Sequence, residues 1–300
     1  MINRKTKATE QRNPRTRGLD TKSTLGILRS IHREDATVAK AVAGALPAIA
    51  RVVDAIVPSL QRGGRLFYVG AGTSGRLATL DAAELPPTFG TPARMVQAVI
   101  AGGRRALTHA VEGAEDNRAQ GARDLAERKI NGGDVVVGIA ASGATPYVLG
   151  ALEFARRQGA ITVGITSNPR TPITRIAKIS ILTATGPEVI TGSTRMKAGT
   201  AQKMVLNMLS TATMIRMGRV YDNLMICVAL RNSKLQARGL RLLMEASGAP
   251  VAESTRVLRQ SGRNTGLALI MLKAGVNTRE AQRRLRAANG NIREALEREK

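Results

Sequence analysis

The chain has 300 residues, is 43% hydrophobic and carries a formal net charge of +24. That is enough to bury one large domain and a small one. No apolar run reaches the length a bilayer requires, and the basic start, Met1 to Arg17, lacks the apolar stretch of a secretory signal.

Cys227 is the single cysteine, so no intramolecular disulfide forms, and a cytoplasmic protein is expected. His32 and His109 are the only histidines and lie far apart, so no zinc-type cluster exists and no metal is expected, with a carboxylate-bound magnesium left open. The excess of Lys and Arg raises nucleic acid as a partner, because clustered cations release counterions from phosphate backbones. Aromatic residues make up only 2% of the chain, too few for stacking platforms, and the cations are spread along it. An Arg-rich solvated surface is expected, with neither nucleic acid nor membrane as partner.

Residues 1–20 are polar, basic and non-periodic, and read as a mobile arm. Residues 21–60 carry helical periodicity, with Leu25, Leu28 and Ile31 in one stretch and Val38, Val42, Leu46, Ile49, Val53 and Ile56 in the next, where Pro47 breaks or kinks the helix. From 61 to 240, short apolar runs alternate with helical patterns. The runs are Arg65–Val69, Arg94–Ile100, Asp134–Ala140, Ala160–Ile165 and Ile179–Thr183. Between and after them, helices are expected over Gly75–Glu84, Ala106–Ile130, Pro146–Gln158, Ala198–Met217 and 219–240. Near-continuous apolar strands separated by helices mean a parallel α/β sheet sandwiched by helices. Residues 241–300 read as a small helical bundle, with segments around Leu242–Ser247, Val251–Ser261, Thr265–Lys273, Thr278–Ala287 and Asn291–Glu299 punctuated by glycines.

Three loops carry chemistry. Gly70-Ala71-Gly72-Thr73-Ser74-Gly75-Arg76 joins a strand to a helix, and suits an anion through close backbone approach and free helix N–H groups. It also fits the G-x-G-x-x-G dinucleotide pattern, but the acidic ribose partner is missing where Arg104-Arg105 stands, a pair that leaves a 2′-phosphate and NADP open. Ala141-Ser142-Gly143-Ala144-Thr145-Pro146 is a second hydroxyl-rich loop after a strand. Two such loops at one end of a sheet favour a phosphosugar over a long cofactor. The third, Thr191 to Thr200, sets Ser193, Arg195 and Lys197 among hydroxyls as a charge complement for an anion. The carboxylates are Glu84, at the expected helix end before Pro86-Pro87, and Glu112, Glu115 and Asp116, which crowd like charges on one face of the expected helix.

Gly70–Arg76 with Asp81–Thr88, Ala101-Gly102-Gly103, His109–Asp116, Gly138–Gly143 and Thr191–Ser210, in that order, resemble the N-acetylmuramic acid 6-phosphate etherases, lyases built on a sugar isomerase (SIS) domain. Thr9–Pro14 is similar to the family's opening, and the likeness spans nearly the whole chain. The resemblance implies a five-stranded parallel core and a homodimer. It implies conversion of N-acetylmuramic acid 6-phosphate and water to N-acetylglucosamine 6-phosphate and D-lactate, with no cofactor. It makes Glu84 the proton donor to the departing lactate and Glu115 the base at C2. Gly72, Thr73, Ser74, Gly75, Ser142, Gly143, Thr145, Ser193 and Lys197 are the expected phosphosugar contacts. Ala144 departs from the family, which commonly has Arg there, as does the strong basicity.

A helix C-terminus disfavours negative charge, which suits Glu84 as an acid. About nine residues of helix, roughly 14 Å, separate it from its own loop, so it is expected to serve a substrate shared with a partner subunit. The rival readings are a phosphosugar-sensing regulator, for which residues 1–64 leave little room for a helix-turn-helix, a phosphosugar isomerase and an NADP dehydrogenase.

Overall fold

The computed structural model describes residues 7–297, so the first six residues of the expected arm and the end of the last expected helix lie outside the described residues. Two compact units emerge, one from residues 7–82 and 94–209, the other from 83–93 and 210–297.

The first unit holds the sheet. Its strands are β1 (Leu66–Gly70), β2 (Val96–Ile100), β3 (Val135–Ile139), β4 (Ile161–Thr166) and β5 (Ile179–Leu182), all parallel in the order β2-β1-β3-β4-β5. β1 and β3 are buried along their whole length, which is why they read as continuous apolar runs. Phe67, Val69 and Val136 join one core with Leu125, Tyr147, Val148, Ala151 and Leu152 of α5 (Arg118–Glu127) and α6 (Pro146–Arg157). Each Val, Leu or Phe among them contributes about 1.5–3 kcal/mol by leaving water. α3 (Leu46–Gln61) packs on β3 and β5 and buries Ile49, Val52, Val53, Ile56 and Leu60. Pro47 sits in its first turn, where a missing N–H is harmless. Ahead of it run α1 (Thr24–Asp35) and α2 (Val38–Ala43).

Glycines let α5 and α6 approach closely. A Cβ on Gly121 would stand 2.0 Å from the Tyr147 carbonyl oxygen, and one on Gly150 would stand 2.0 Å from that of Arg118. Asp134 ties β1 to β3 at their starts: it accepts from the Arg65 backbone N–H at 2.9 Å and from the Arg65 guanidinium at 2.7 Å.

Four expectations are corrected. The described part of the arm is docked in short turns: Asn168 exchanges hydrogen bonds with Thr9, and the Thr16 hydroxyl donates to the Val189 carbonyl at 2.9 Å. Spaced polar side chains with remote partners leave no periodicity, so the arm looked unstructured. The helix expected over Ala106–Ile130 is two 3-10 turns, Gly103–Leu107 and Ala114–Asp116, followed by α5. Gly102, Gly103 and Gly113 take φ of +82°, +65° and +72° and break it, and the Asn117 side chain accepts from Gln120 N–H to start α5.

The helix after the first loop, α4 (Gly72–Phe89), runs through Pro86 and Pro87 instead of stopping at Glu84. Their carbonyls accept from Gly90 and Ala229 N–H at 3.0 and 3.1 Å, and Gly90 at φ +62° ends the helix. Lastly, 219–232 is not helical. α8 (Lys197–Arg216) stops before Gly218, φ +70°, and Asn232 caps α9 (Ser233–Ser247) through Leu235 N–H.

Between β4 and β5 lies the short α7 (Pro172–Ile176). The second unit continues with α10 (Val251–Gln260), α11 (Thr265–Ala274), α12 (Thr278–Ala287) and α13 (Ile292–Glu297). Leu243, Val257, Leu267, Ile270, Ala281 and Ile292 form its own apolar core. Among the described residues no single helix is long and apolar enough to cross a membrane.

Candidate active site

With the order β2-β1-β3-β4-β5, the chain reverses direction of winding between β1 and β3. Ligands of open parallel sheets gather at the carboxyl ends of the strands flanking such a switch. Those two strands are the ones followed by the two hydroxyl-rich loops.

The first loop is compressed by design of its glycines. A Cβ on Gly70 would lie 2.7 Å from Gly75 N, and one on Gly75 would lie 2.5 Å from Ile100 Cγ1. Gly72 takes φ +51° as α4 begins. Thr73 is half-buried, and Ser74 is buried and donates to Gln202 Oε1 at 2.9 Å, joining the loop to α8. Gln202 is itself buried, and its Nε2 has no hydrogen-bond partner among the described residues. In the second loop, Gly143 takes φ +66°, and a Cβ there would stand 2.1 Å from Thr171 Oγ1. Ser142 Oγ accepts from Ala144 N–H at 3.3 Å. Thr145 precedes α6, and its hydroxyl makes no cap bond to the helix.

The third loop is arranged differently from the other two. Ser193 is half-buried, but Lys197 is buried with its Nζ on Glu34 Oε2 at 2.7 Å. Arg15 holds the other oxygen of Glu34 at 2.5 Å. The Arg15 hydrogen bond, joined by those from Lys197 and Asn13, overcomes burial and holds the Glu34 carboxyl down at about 2. Glu188 accepts from the backbone N–H groups of Lys197 and Ala198 at 3.0 and 2.9 Å, and burial still pushes its carboxyl above the usual range. Lys197 therefore braces the start of α8, and its ammonium is engaged before any ligand arrives.

Glu115 lines a cleft of about 240 Å³ together with Gly72, Arg76, Glu112 and Asp116, and is exposed. The structure thus sets Glu115 against the first loop. Arg76 makes this possible: its Nε and Nη2 donate to the carbonyls of Leu107 and His109 at 3.1 and 3.0 Å, fixing the segment that leads to Glu115. His109 is exposed, with Nδ1 2.8 Å from Thr108 Oγ1. Glu84 is also exposed and lies on the part of α4 that belongs to the second unit. Since α4 continues to Phe89, Glu84 is not in the last turn, and the negative end of the helix dipole does not act on it as expected. Among the described residues no three His, Cys, Asp or Glu side chains cluster as metal ligands.

Arg76, Gln202 and the pair of Arg15 with Glu34 were not singled out in the sequence. Arg76 could have been noticed as a cation directly behind the glycine loop, whereas Glu34 and Gln202 carry no local signal.

Sheet order and the paired glycine loops are those of an SIS-type α/β fold. The SIS domain family matches residues 119–212, and the family described as glucokinase regulatory protein N-terminal SIS domain matches residues 48–156. A phosphoheptose isomerase from Francisella tularensis shares the fold, with a TM-score of 0.51 at 20% identity over 64% of this chain and 98% of that one. The chain belongs to the N-acetylmuramic acid 6-phosphate etherase family. It is 54% identical to the etherase of Edwardsiella ictaluri over 96% of both chains, and 50% identical to that of Rhizobium rhizogenes over 96% of this chain and 94% of the relative.

Proposed function

We propose that this chain cleaves the D-lactyl ether of N-acetylmuramic acid 6-phosphate, giving N-acetylglucosamine 6-phosphate and D-lactate. The observation that carries the reading is Glu115 in one cleft with Gly72 and Arg76 of the first glycine loop. The family resemblance supplies the substrate.

The chemistry suits the groups present. Opening the sugar ring exposes a C1 aldehyde, which acidifies the C2–H. Glu115 takes that proton, the C3–O bond breaks, and Glu84 protonates the departing lactate oxygen. Water then adds at C3, which returns the hydroxyl and the C2 proton. Acid–base catalysis by carboxyl groups is sufficient for this, and no redox cofactor takes part. Thr73 and Thr145 offer hydroxyls and the loop backbones offer N–H groups to the phosphate, with Gly72, Gly75 and Gly143 permitting close approach. Ser74, Ser142 and Ser193 complete the polar lining, and Lys197 acts from behind by bracing α8.

In this reading the enzyme is a cytoplasmic homodimer, and Glu84 acts on the substrate held by the partner's loops. Large apolar side chains left in water on the first unit support a partner surface. Leu25 and Leu28, three apart on α1, are 55% and 57% exposed, and Ile190 is 55% exposed.

The deciding experiment measures D-lactate release from N-acetylmuramic acid 6-phosphate, with a chelator and without added cofactor. Release that is lost in both Glu84→Ala and Glu115→Ala is expected. Folded protein that isomerises phosphosugars and releases no lactate would overturn the reading. Mixing Glu84→Ala with Glu115→Ala subunits tests the shared site: recovered activity is expected, because one of the two sites in a mixed dimer regains both carboxylates.

A further inference from the structure

A cavity of about 220 Å³ lies wholly within the second unit, and the etherase chemistry makes no use of it. Arg219, Cys227, Arg263, Asn264, Thr265 and Gly290 are among its lining residues, and none of the lining residues is acidic. Two of its polar atoms are buried and lack a hydrogen-bond partner among the described residues: Thr265 Oγ1 and Arg219 Nε. Thr265 is only 1% exposed. A donor left unpaired in the interior is costly unless something else meets it.

The third component is backbone. α11 begins at Thr265, and the first N–H groups of a helix have no partner within it. Asn264 satisfies the one on Leu267, leaving those of Thr265 and Gly266 at the positive end of the helix dipole. Cys227 brings no competing negative charge, because burial pushes its thiol up. Two guanidinium groups, a hydroxyl and a helix start therefore converge where no carboxylate neutralises them. The volume is below that of a drug-sized pocket and suits a compact ligand.

We propose that this cavity is a second binding site, separate from the catalytic cleft, for a small oxyanion: phosphate, or a phosphomonoester of a few carbons. Arg219 and Arg263 supply charge, and Thr265 and the helix amides supply neutral donors.

Cys227 is the chain's single cysteine, so its alkylation reports on this cavity and not on the cleft beside Gly72. The test follows iodoacetamide labelling of the full chain by mass spectrometry, at constant ionic strength, as inorganic phosphate is titrated in. Saturable protection is expected, about tenfold at ten times the dissociation constant. Arg219→Gln abolishes that protection, and Thr265→Val, the variant kept in case the first fails to fold, weakens it.

A labelling rate indifferent to phosphate, or protection unchanged in both variants, would overturn the site. Should Cys227 resist labelling altogether, equilibrium dialysis decides. Two phosphates per parent chain and one per Arg219→Gln chain support the site, whereas equal numbers refute it. Repeating the titration with glycerol phosphate separates the sources. Tighter protection identifies a phosphomonoester, and weaker protection identifies free phosphate.

Discussion

Two glutamates of the first unit stand in opposite situations. Glu34 is 1% exposed, clamped between Arg15 and the buried Lys197. Glu115 is exposed on a 3-10 turn at the rim of a cleft. A carboxylate that has left water needs cations to stay charged, and those cations lock it in place. A carboxylate still in water keeps its lone pairs free for a substrate proton. The two environments therefore separate structural from chemical work more sharply than residue type does, and substitutions should affect stability at one position and turnover at the other.

The largest effect is expected at Glu115. Glu115→Gln keeps the shape and removes the proposed base, so lactate release is expected to fall by about 10²–10⁴-fold. Its stability stays within about 0.5 kcal/mol of the parent, as for other exposed sites. A Glu115→Gln enzyme that turns over normally would assign the base elsewhere. Glu34→Ala reverses the pattern. It strands the Lys197 ammonium in the interior, and urea unfolding should show a loss of about 3–5 kcal/mol. A loss below about 1 kcal/mol, typical of solvent-exposed pairs, would mean that water screens the cluster.

Next in size are the helix-packing glycines. Gly150→Ala drives a methyl into the Arg118 carbonyl oxygen, and the overpacked α5 and α6 lose about 1–3 kcal/mol in the same assay. Gly72→Ala meets nothing within 4 Å and strains only a backbone at φ +51°. It should cost about 1–2 kcal/mol, so the two glycines compare crowding with conformation.

The same contrast explains what the sequence allowed. The five strands were legible because burial on both faces removes polar residues from the pattern, as in Val135-Val136-Val137. The glycine loops were legible because only glycine fits where Gly75 meets Ile100 and Gly143 meets Thr171. The segment holding Glu115 reads as helix in the sequence, since its scattered apolar residues imitate the helical period and the breaks depend on Gly102, Gly103 and Gly113. The Glu34 cluster was beyond reach: its partners Arg15 and Lys197 are 19 and 163 residues away in the chain. Long-range ion pairs leave no periodic trace, and for the same reason the docked arm read as loose. Lys197 looked like a ligand contact because a lysine among hydroxyls reads the same whether its ammonium points outward or into the protein.

The smallest effect expected is at Arg15, and it tests which cation secures Glu34. The Arg15 hydrogen bond is the largest cause of the depressed carboxyl, which sits at about 2 instead of 4.5. Yet its side chain is 58% exposed, whereas that of Lys197 is 1% exposed. Water replaces an exposed guanidinium at little cost, so Arg15→Ala should lose no more than about 1 kcal/mol at neutral pH. The acid limb carries the finer signal. A carboxyl lowered on folding adds stability that is complete above its unfolded value of 4.5 and fades as pH falls toward about 2. With Arg15 gone the folded value rises toward the unfolded one, so unfolding free energy measured between those pH values should fall less steeply than in the parent. An unchanged slope would show that Lys197 alone keeps Glu34 ionised, and that Arg15 serves only to dock the arm.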